Sequence, residues 1–132
     1  MNNIDIEVVP VDGQSNKGTF KLSQDGRVCH LVLSMGGQEF EVEALDFWSA
    51  LVELREELAG PGLTPVCYGA SRHVYPSGLC LETGSGVNAY KLRMGELSGP
   101  DDLVNIFDTG PDVEVASVKE QQEFFETWQK SI

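Results

Sequence analysis

The 132-residue chain has no long apolar segment and few basic residues. No stretch approaches the roughly 18 consecutive apolar residues that a transmembrane helix needs. The first residues, MNNIDIEVV, have neither the basic region nor the long apolar region of a secretory signal. We therefore expect neither a membrane span nor an export signal. The length is that of one domain, residues 1–132, with a core of its own.

The scarcity of basic residues gives the chain a strong negative charge. Nine Lys and Arg stand against 21 Asp and Glu, so the net charge is −12. This charge argues against binding to nucleic acid or to an anionic membrane, because both require a basic surface. It favours basic partners, in particular basic clefts on other proteins. The alternative is that the acidic residues only keep a small protein soluble.

Cysteine and histidine are also scarce. The three cysteines, Cys29, Cys67 and Cys80, are an odd number at no zinc-like spacing, and the two histidines lie far apart in the sequence. This pattern predicts no metal site, and no cofactor-binding motif is present, so we expect no cofactor. The simplest account of three unpaired thiols is a reducing, cytoplasmic setting.

The first third of the chain has the pattern of an antiparallel sheet. Ile4, Ile6 and Val8 alternate with polar residues, as in a strand with one buried face. Three further strands and the turns between them predict a β-meander. The strands fall at residues 19–22, 28–33 and 39–43, a loop at 12–18, an Asp-Gly turn at 25–26 and a Gly-Gly turn at 36–37.

The pattern then changes to helical spacing. Asp46 is a plausible N-cap for a helix whose apolar face carries Phe47, Leu51, Leu54 and Leu58. Residues 60–62, Gly-Pro-Gly, end this helix.

The rest of the chain predicts further strands followed by helices. Strand patterns occur at residues 64–68 and 88–94, and a short helix begins near Ser98 with apolar residues at 103–107. A capping box at Ser117 and Glu120 opens a last helix, with Phe124, Phe125 and Trp128 as its buried stripe. The fold class is therefore α+β: an N-terminal antiparallel β-meander, one central helix, further strands, and two C-terminal helices packed on the sheet.

The glycine-bounded loop at residues 69–78 is the best candidate for a functional site. It contains Arg72, His73 and Tyr75, and Arg and Tyr are enriched at protein interfaces. We predict these three as partner-binding residues, helped by Glu82 and Glu96 nearby. The alternative is that Tyr75 packs into the core and Arg72 pairs with a local carboxylate.

Three segments carry a family resemblance. Residues 67–78 (CYGASRHVYPSG), 84–90 (GSGVNAY) and 101–108 (DDLVNIFD) resemble small acidic bacterial proteins found beside polymorphic toxins, where such proteins act as immunity proteins. The resemblance implies a cytoplasmic inhibitor that is not an enzyme. Its partner would be a cognate toxin with a basic cleft, of the nuclease or ADP-ribosyltransferase type. The resemblance leaves self-association open.

Two other functions remain as alternatives. An adaptor or chaperone for a secreted effector would share the negative charge and the absence of catalytic residues. A small thiol enzyme would use Cys67 or Cys80 with His73, since a nucleophilic thiolate needs an imidazole beside it. Against that alternative, the cysteines lie among apolar residues and are typical of buried, unreactive thiols.

Overall fold

Four successive strands open the fold and pair with their neighbours in antiparallel order. The computed structural model describes residues 2–10, 16–82 and 84–132. Part of the predicted loop at 12–18 lies outside these residues, and residues 16–18 belong to a strand. At the Asp-Gly turn, Gly26 has a φ of 60°, a conformation that glycine adopts without strain. The strands are β1 (Asn2–Pro10), β2 (Asn16–Asp25), β3 (Val28–Met35) and β4 (Gln38–Ala44).

A fifth strand completes this sheet. β5 (Leu63–Pro65) pairs antiparallel with β1, so the strand order is β4-β3-β2-β1-β5. The strand predicted at 64–68 is thus shorter than expected. Pro65 has no N–H to donate to a ladder, and the chain turns into a 3₁₀ turn over Tyr68–Ala70.

Helix α1 (Phe47–Ala59) covers the inner face of the sheet. It begins after Asp46, whose side chain accepts a hydrogen bond of 2.7 Å from the Ser49 N–H, as the N-cap prediction requires. Its apolar side chains pack against the inward residues of the strands and form the centre of the core. These core residues include Val8, Phe20, Leu31, Leu33, Leu51, Leu54 and Leu58.

A second, smaller sheet follows. Its strands, in spatial order, are β6 (Val74–Tyr75), β7 (Asn88–Lys91) and β8 (Leu103–Asn105), and α2 (Gly78–Glu82) lies between β6 and β7. The helix predicted after Ser98 is wrong. A single 3₁₀ turn, Pro100–Asp102, is followed by extended chain, because residues 103–105 pair with β7 and bring Ala89 opposite Val104.

The last helix, α3 (Val118–Ser131), begins with the predicted capping box. Ser117 Oγ accepts from the Glu120 N–H, Glu120 Oε1 accepts from the Ser117 N–H, and both distances are 3.0 Å. The expected packing of this helix on the N-terminal sheet is not confirmed, since α3 packs against β6 of the second sheet and against α1. α1 already covers the inner face of that sheet.

The α+β class is confirmed for the described residues. They form a curled five-stranded antiparallel sheet, a second small sheet and three helices. None of these helices is both long enough and apolar enough to cross a membrane.

Candidate functional site

A buried arginine fixes the loop and α3 to the rest of the protein. Arg55 on α1 is only 4% exposed. Its Nη1 donates to the Gly69 carbonyl at 3.0 Å and to Gln121 Oε1 at 2.7 Å, and its Nη2 donates to the Ala116 carbonyl at 2.9 Å. Burial lowers the pKa of Arg55 to about 10, so the guanidinium stays charged at neutral pH. One side chain therefore connects α1, the loop and the segment before α3.

Gln121 supplies the matching contacts from α3. Its Nε2 lies 3.0 Å from the Gly69 carbonyl, 2.8 Å from that of Ser71 and 3.0 Å from that of Val74. The chain at Gly69 leaves no room for a side chain, because a Cβ there would collide with Leu51 and Ile106. Buried hydrogen bonds from Arg55 and Gln121 thus hold the backbone of residues 69–74, the first half of the predicted loop.

Arg72, the first predicted partner-binding residue, is exposed and lies beside α3. Its guanidinium carbon is 5.7 Å from the centre of the Phe124 ring, a cation–π distance. Its main-chain N–H donates to the Glu114 carbonyl at 2.8 Å, which fixes the backbone beneath the side chain.

Tyr75 takes the packed position that was the alternative for this residue. Its ring stacks on Phe125 at 3.9 Å and meets the edge of Trp48 at 5.3 Å. Its hydroxyl donates to Gln122 Oε1 at 2.6 Å. Burial, and then the negative charge of Glu126, raises the pKa of Tyr75. Tyr75 is therefore half-buried, and both its ring and its hydroxyl contact α3.

The remaining predicted residues lie in three different places. His73 Nδ1 lies 3.2 Å from Ser71 Oγ, and the His73 carbonyl accepts from the Leu92 N–H at 2.7 Å, beside β7. Glu96 lies at the other end of α3, where its carbonyl accepts from Trp128 Nε1 at 3.0 Å. Glu82 is exposed at the end of α2, and no hydrogen bond or ion pair in the described part of the chain joins it to the other four.

Sequence reasoning missed a turn that docks on α3. Residues 93–96 form a tight turn whose Gly95 N–H donates to Ser131 Oγ at 2.8 Å. Met94 in this turn is 44% exposed, and Leu97 directly after it is 77% exposed. Gly95 and Ser131 lie 36 residues apart, so no local pattern in the sequence predicts this contact.

The stripe predicted to be buried on α3 is instead partly exposed. Phe124, Phe125 and Trp128 are half-buried, and the one buried residue of the helix is Gln121. Arg72, Met94 and Phe124 line one depression, and Trp128, four residues after Phe124, contacts the Glu96 carbonyl next to Leu97. We call these five residues the α3 surface: Arg72, Met94, Leu97, Phe124 and Trp128.

Acidic side chains surround the α3 surface. A shallow depression of about 380 Å³ is lined by Arg72, Met94, Phe124, Thr127, Glu120 and Glu123. Hydrogen bonding to Ser117 lowers the pKa of Glu120, which keeps this carboxylate ionised. The surface thus has an apolar and aromatic centre with negative charges at its edge, the arrangement of a protein interface.

The three cysteines are buried, free thiols. Cys67 is fully buried, and burial raises the pKa of its thiol to about 11 in spite of the nearby charge of Arg55. Cys80 is also buried. No hydrogen bond joins either thiol to His73 among the described residues, and no group of three His, Cys, Asp or Glu there could hold a metal ion.

No protein-family model matches this chain, and neither does any curated protein sequence. The resemblance to immunity proteins therefore remains a prediction, and the functional argument depends on the geometry of the α3 surface.

Proposed function

We propose that this protein is a cytoplasmic immunity protein that binds the catalytic domain of a bacterial toxin and blocks it at one-to-one stoichiometry. The observation that carries the proposal is the α3 surface. A chain with a net charge of −12 leaves two aliphatic side chains exposed, and two aromatic side chains partly exposed, beside acidic residues. Apolar residues gathered in this way mark interaction sites more often than singly scattered ones.

Charge selects the kind of partner. A toxin that cleaves nucleic acid, or that binds an anionic dinucleotide, needs a basic cleft for its substrate. Glu120 and Glu123, which line the depression, are complementary to such a cleft and would accelerate association by electrostatic attraction. The partner is therefore a protein with a basic surface, of the nuclease or ADP-ribosyltransferase type.

Three side chains of the α3 surface already have contacts in the free protein. Phe124 carries Arg72 over its ring, and the indole N–H of Trp128 is bound to the Glu96 carbonyl. Side chains that are already ordered lose less conformational entropy on association, so more of their contact energy appears as affinity. Arg and Trp are also the residue types that most often dominate binding energy.

The test begins with the partner. The tagged protein is expressed in its native bacterium, and the toxin that co-purifies is assayed with increasing amounts of inhibitor. Complete loss of toxin activity at one equivalent is expected. A partner that stays fully active in the complex would contradict the proposal and favour the adaptor or chaperone function.

Two exposed leucines then locate the interface. Leu97 belongs to the α3 surface, and Leu103, which is 44% exposed, lies on β8 of the second sheet. Leu97→Ala together with Phe124→Ala is expected to weaken toxin binding by about 2 kcal/mol, or about 30-fold in Kd. Leu103→Ala is the control and should leave Kd unchanged. Equal Kd values for all variants would remove the α3 surface from the interface.

A further inference from the structure

The two edges of the five-stranded sheet differ in length and in chemistry. β5 forms one edge with three residues, and the last of them, Pro65, has no N–H. β4 forms the other edge with seven residues and no proline or glycine. Its register with β3 is continuous from Cys29 opposite Ala44 to Met35 opposite Gln38, with no bulge. No backbone group elsewhere in the described residues bonds to the free side of β4.

An edge of this kind is a template for another strand. Alternate residues of an edge strand direct their N–H and C=O groups away from the sheet, and proteins usually protect such an edge with charged side chains, proline, a bulge or a covering element. β4 has no proline, bulge or lysine, and its only charged side chains are glutamates, which repel an acidic strand but attract a basic one. The outward groups of β4 therefore remain available for a ladder.

Every outward-facing side chain at the centre of β4 is acidic. Glu39, Glu41 and Glu43 are exposed on the outer face, and Phe40 and Val42 point to the core side. Glu39 accepts from Ser34 Oγ at 3.2 Å, and Glu43 Oε1 lies 3.5 Å from His30 Nδ1. Glu41 stands opposite Val32, an uncharged residue.

This row of glutamates disfavours pairing with a second copy of the chain. If two β4 strands joined in a continuous antiparallel sheet, the pleat would place outer-face residues opposite outer-face residues. Glutamates would then oppose glutamates across the junction, which is destabilising. A strand with lysine or arginine at alternate positions would instead place a positive charge opposite each one.

The negative potential extends beyond the strand itself. At the Gln38 end of β4 the outer face of the sheet has a depression of about 1050 Å³. Asp5, Glu7 and Glu39 line it, with Lys17 as the one basic residue of the lining. A basic segment that pairs with β4 and extends past Gln38 would therefore remain next to negatively charged side chains.

We propose that the β4 edge binds an extended, basic segment of a partner protein, which adds to the sheet as a sixth strand. Backbone hydrogen bonds to β4 hold the segment, and Lys or Arg side chains over Glu39, Glu41 and Glu43 select it. The proposal rests on the proposed function in that the basic toxin would supply the strand. The β4 edge shares no residue with the α3 surface.

The test uses a synthetic strand and needs no toxin. The probe is an acetylated and amidated peptide, Lys-Val-Lys-Thr-Lys-Val-Lys, and the protein is labelled with ¹⁵N. We expect slower hydrogen exchange at alternate amides of β4 when the peptide is bound. Two further peptides are methylated on every second backbone nitrogen, one at the odd-numbered residues and the other at the even-numbered residues. Both keep the charge of the parent peptide, and each loses the N–H donors on one side of the strand. The one that loses the donors facing β4 should give no protection.

Charge is tested with a matched pair of double variants. Glu41→Gln with Glu43→Gln removes two charges from the edge, and Glu53→Gln with Glu57→Gln removes two exposed charges from α1. The first should weaken peptide binding about fivefold, and the second should leave it unchanged at the same net charge.

Three outcomes would overturn the proposal. Equal binding of the parent and both methylated peptides would reduce the contact to simple charge attraction. If the β4 amides are already protected from hydrogen exchange without peptide and the protein is a dimer, a second copy of the chain occupies the edge. No change at β4 with the peptide bound would place the peptide elsewhere. A toxin that is still inhibited in each case would leave the proposed function intact.

Discussion

The two long helices are of similar length and are held by opposite kinds of side chain. α1 has 13 residues and buries seven of them, of which only Arg55 is charged or polar. α3 has 14 residues and buries one, Gln121. Burial of apolar area therefore fixes α1, whereas a hydrogen-bonded network fixes α3. Because a polar residue anchors α3, its aromatic residues remain partly exposed and are available for a partner.

The same contrast separates the regions around the two helices. The five-stranded sheet and α1 enclose the aliphatic centre of the core. The segment from 108 to 117 is held by polar contacts, for example Ser71 Oγ with the Glu114 N–H at 3.0 Å, and Tyr68 with Asp112 at 2.7 Å. The stability of the first region should therefore depend mainly on apolar side chains, and that of the second mainly on hydrogen-bonding groups.

The largest effect is expected from an apolar truncation on α1. Leu54 is fully buried, so Leu54→Ala leaves a cavity and should lower the free energy of unfolding by about 2–5 kcal/mol. Phe124→Ala removes a larger side chain from α3 but should cost only about 1 kcal/mol, the value of its contact with Arg72 and of partial burial. Urea unfolding of both variants measures the difference, and equal losses would contradict the distinction between the helices.

An intermediate effect is expected at the polar anchor. Gln121→Leu leaves Arg55 without one acceptor and removes one donor from each of the three carbonyls that Gln121 binds, which should cost about 2–3 kcal/mol. Gln129→Leu, at an exposed position of the same helix, is the control and should cost little. Hydrogen exchange should show α3 opening before the five-stranded sheet in the Gln121 variant. If both glutamine variants unfold alike, α3 is not held by this network.

Local signals in the sequence account for the elements that depend on near neighbours. The alternation at Ile4, Ile6 and Val8 lies within β1, and the N-cap at Asp46 and the capping box at Ser117 are found where the sequence predicts them. Each of these features joins residues at most three or four positions apart. The chemistry of a few adjacent residues is sufficient to specify them.

The elements that were wrongly predicted depend on distant partners. Val104 lies in a strand because Ala89 is beside it, and α3 buries Gln121 because Arg55 and the carbonyls of residues 69–74 need that amide. The partners of Gln121 are 47 to 66 residues away in the chain. For the candidate site, the sequence indicated Arg72 and Glu96 but not Phe124 as an exposed residue, because helical spacing of aromatics is also the pattern of a buried face.

The smallest effect is expected from pH, and it concerns the polar region alone. Asp112 accepts from Tyr68 and lies 2.7 Å from Lys91 Nζ. Hydrogen bonding to Lys91, and then to Tyr68, lowers the pKa of Asp112 from 3.8 to about 2. A carboxyl whose pKa falls on folding stabilises the folded state above its unfolded pKa, and that stability is lost as the pH falls from about 4 to about 2. The side chain is 41% exposed, so the contribution should stay below about 1 kcal/mol.

Asp112→Asn should lower the free energy of unfolding by this amount at pH 7, and the difference from the unmodified protein should disappear near pH 2. A constant difference for Asp112→Asn at every pH would mean that its ion pair with Lys91 does not stabilise this region.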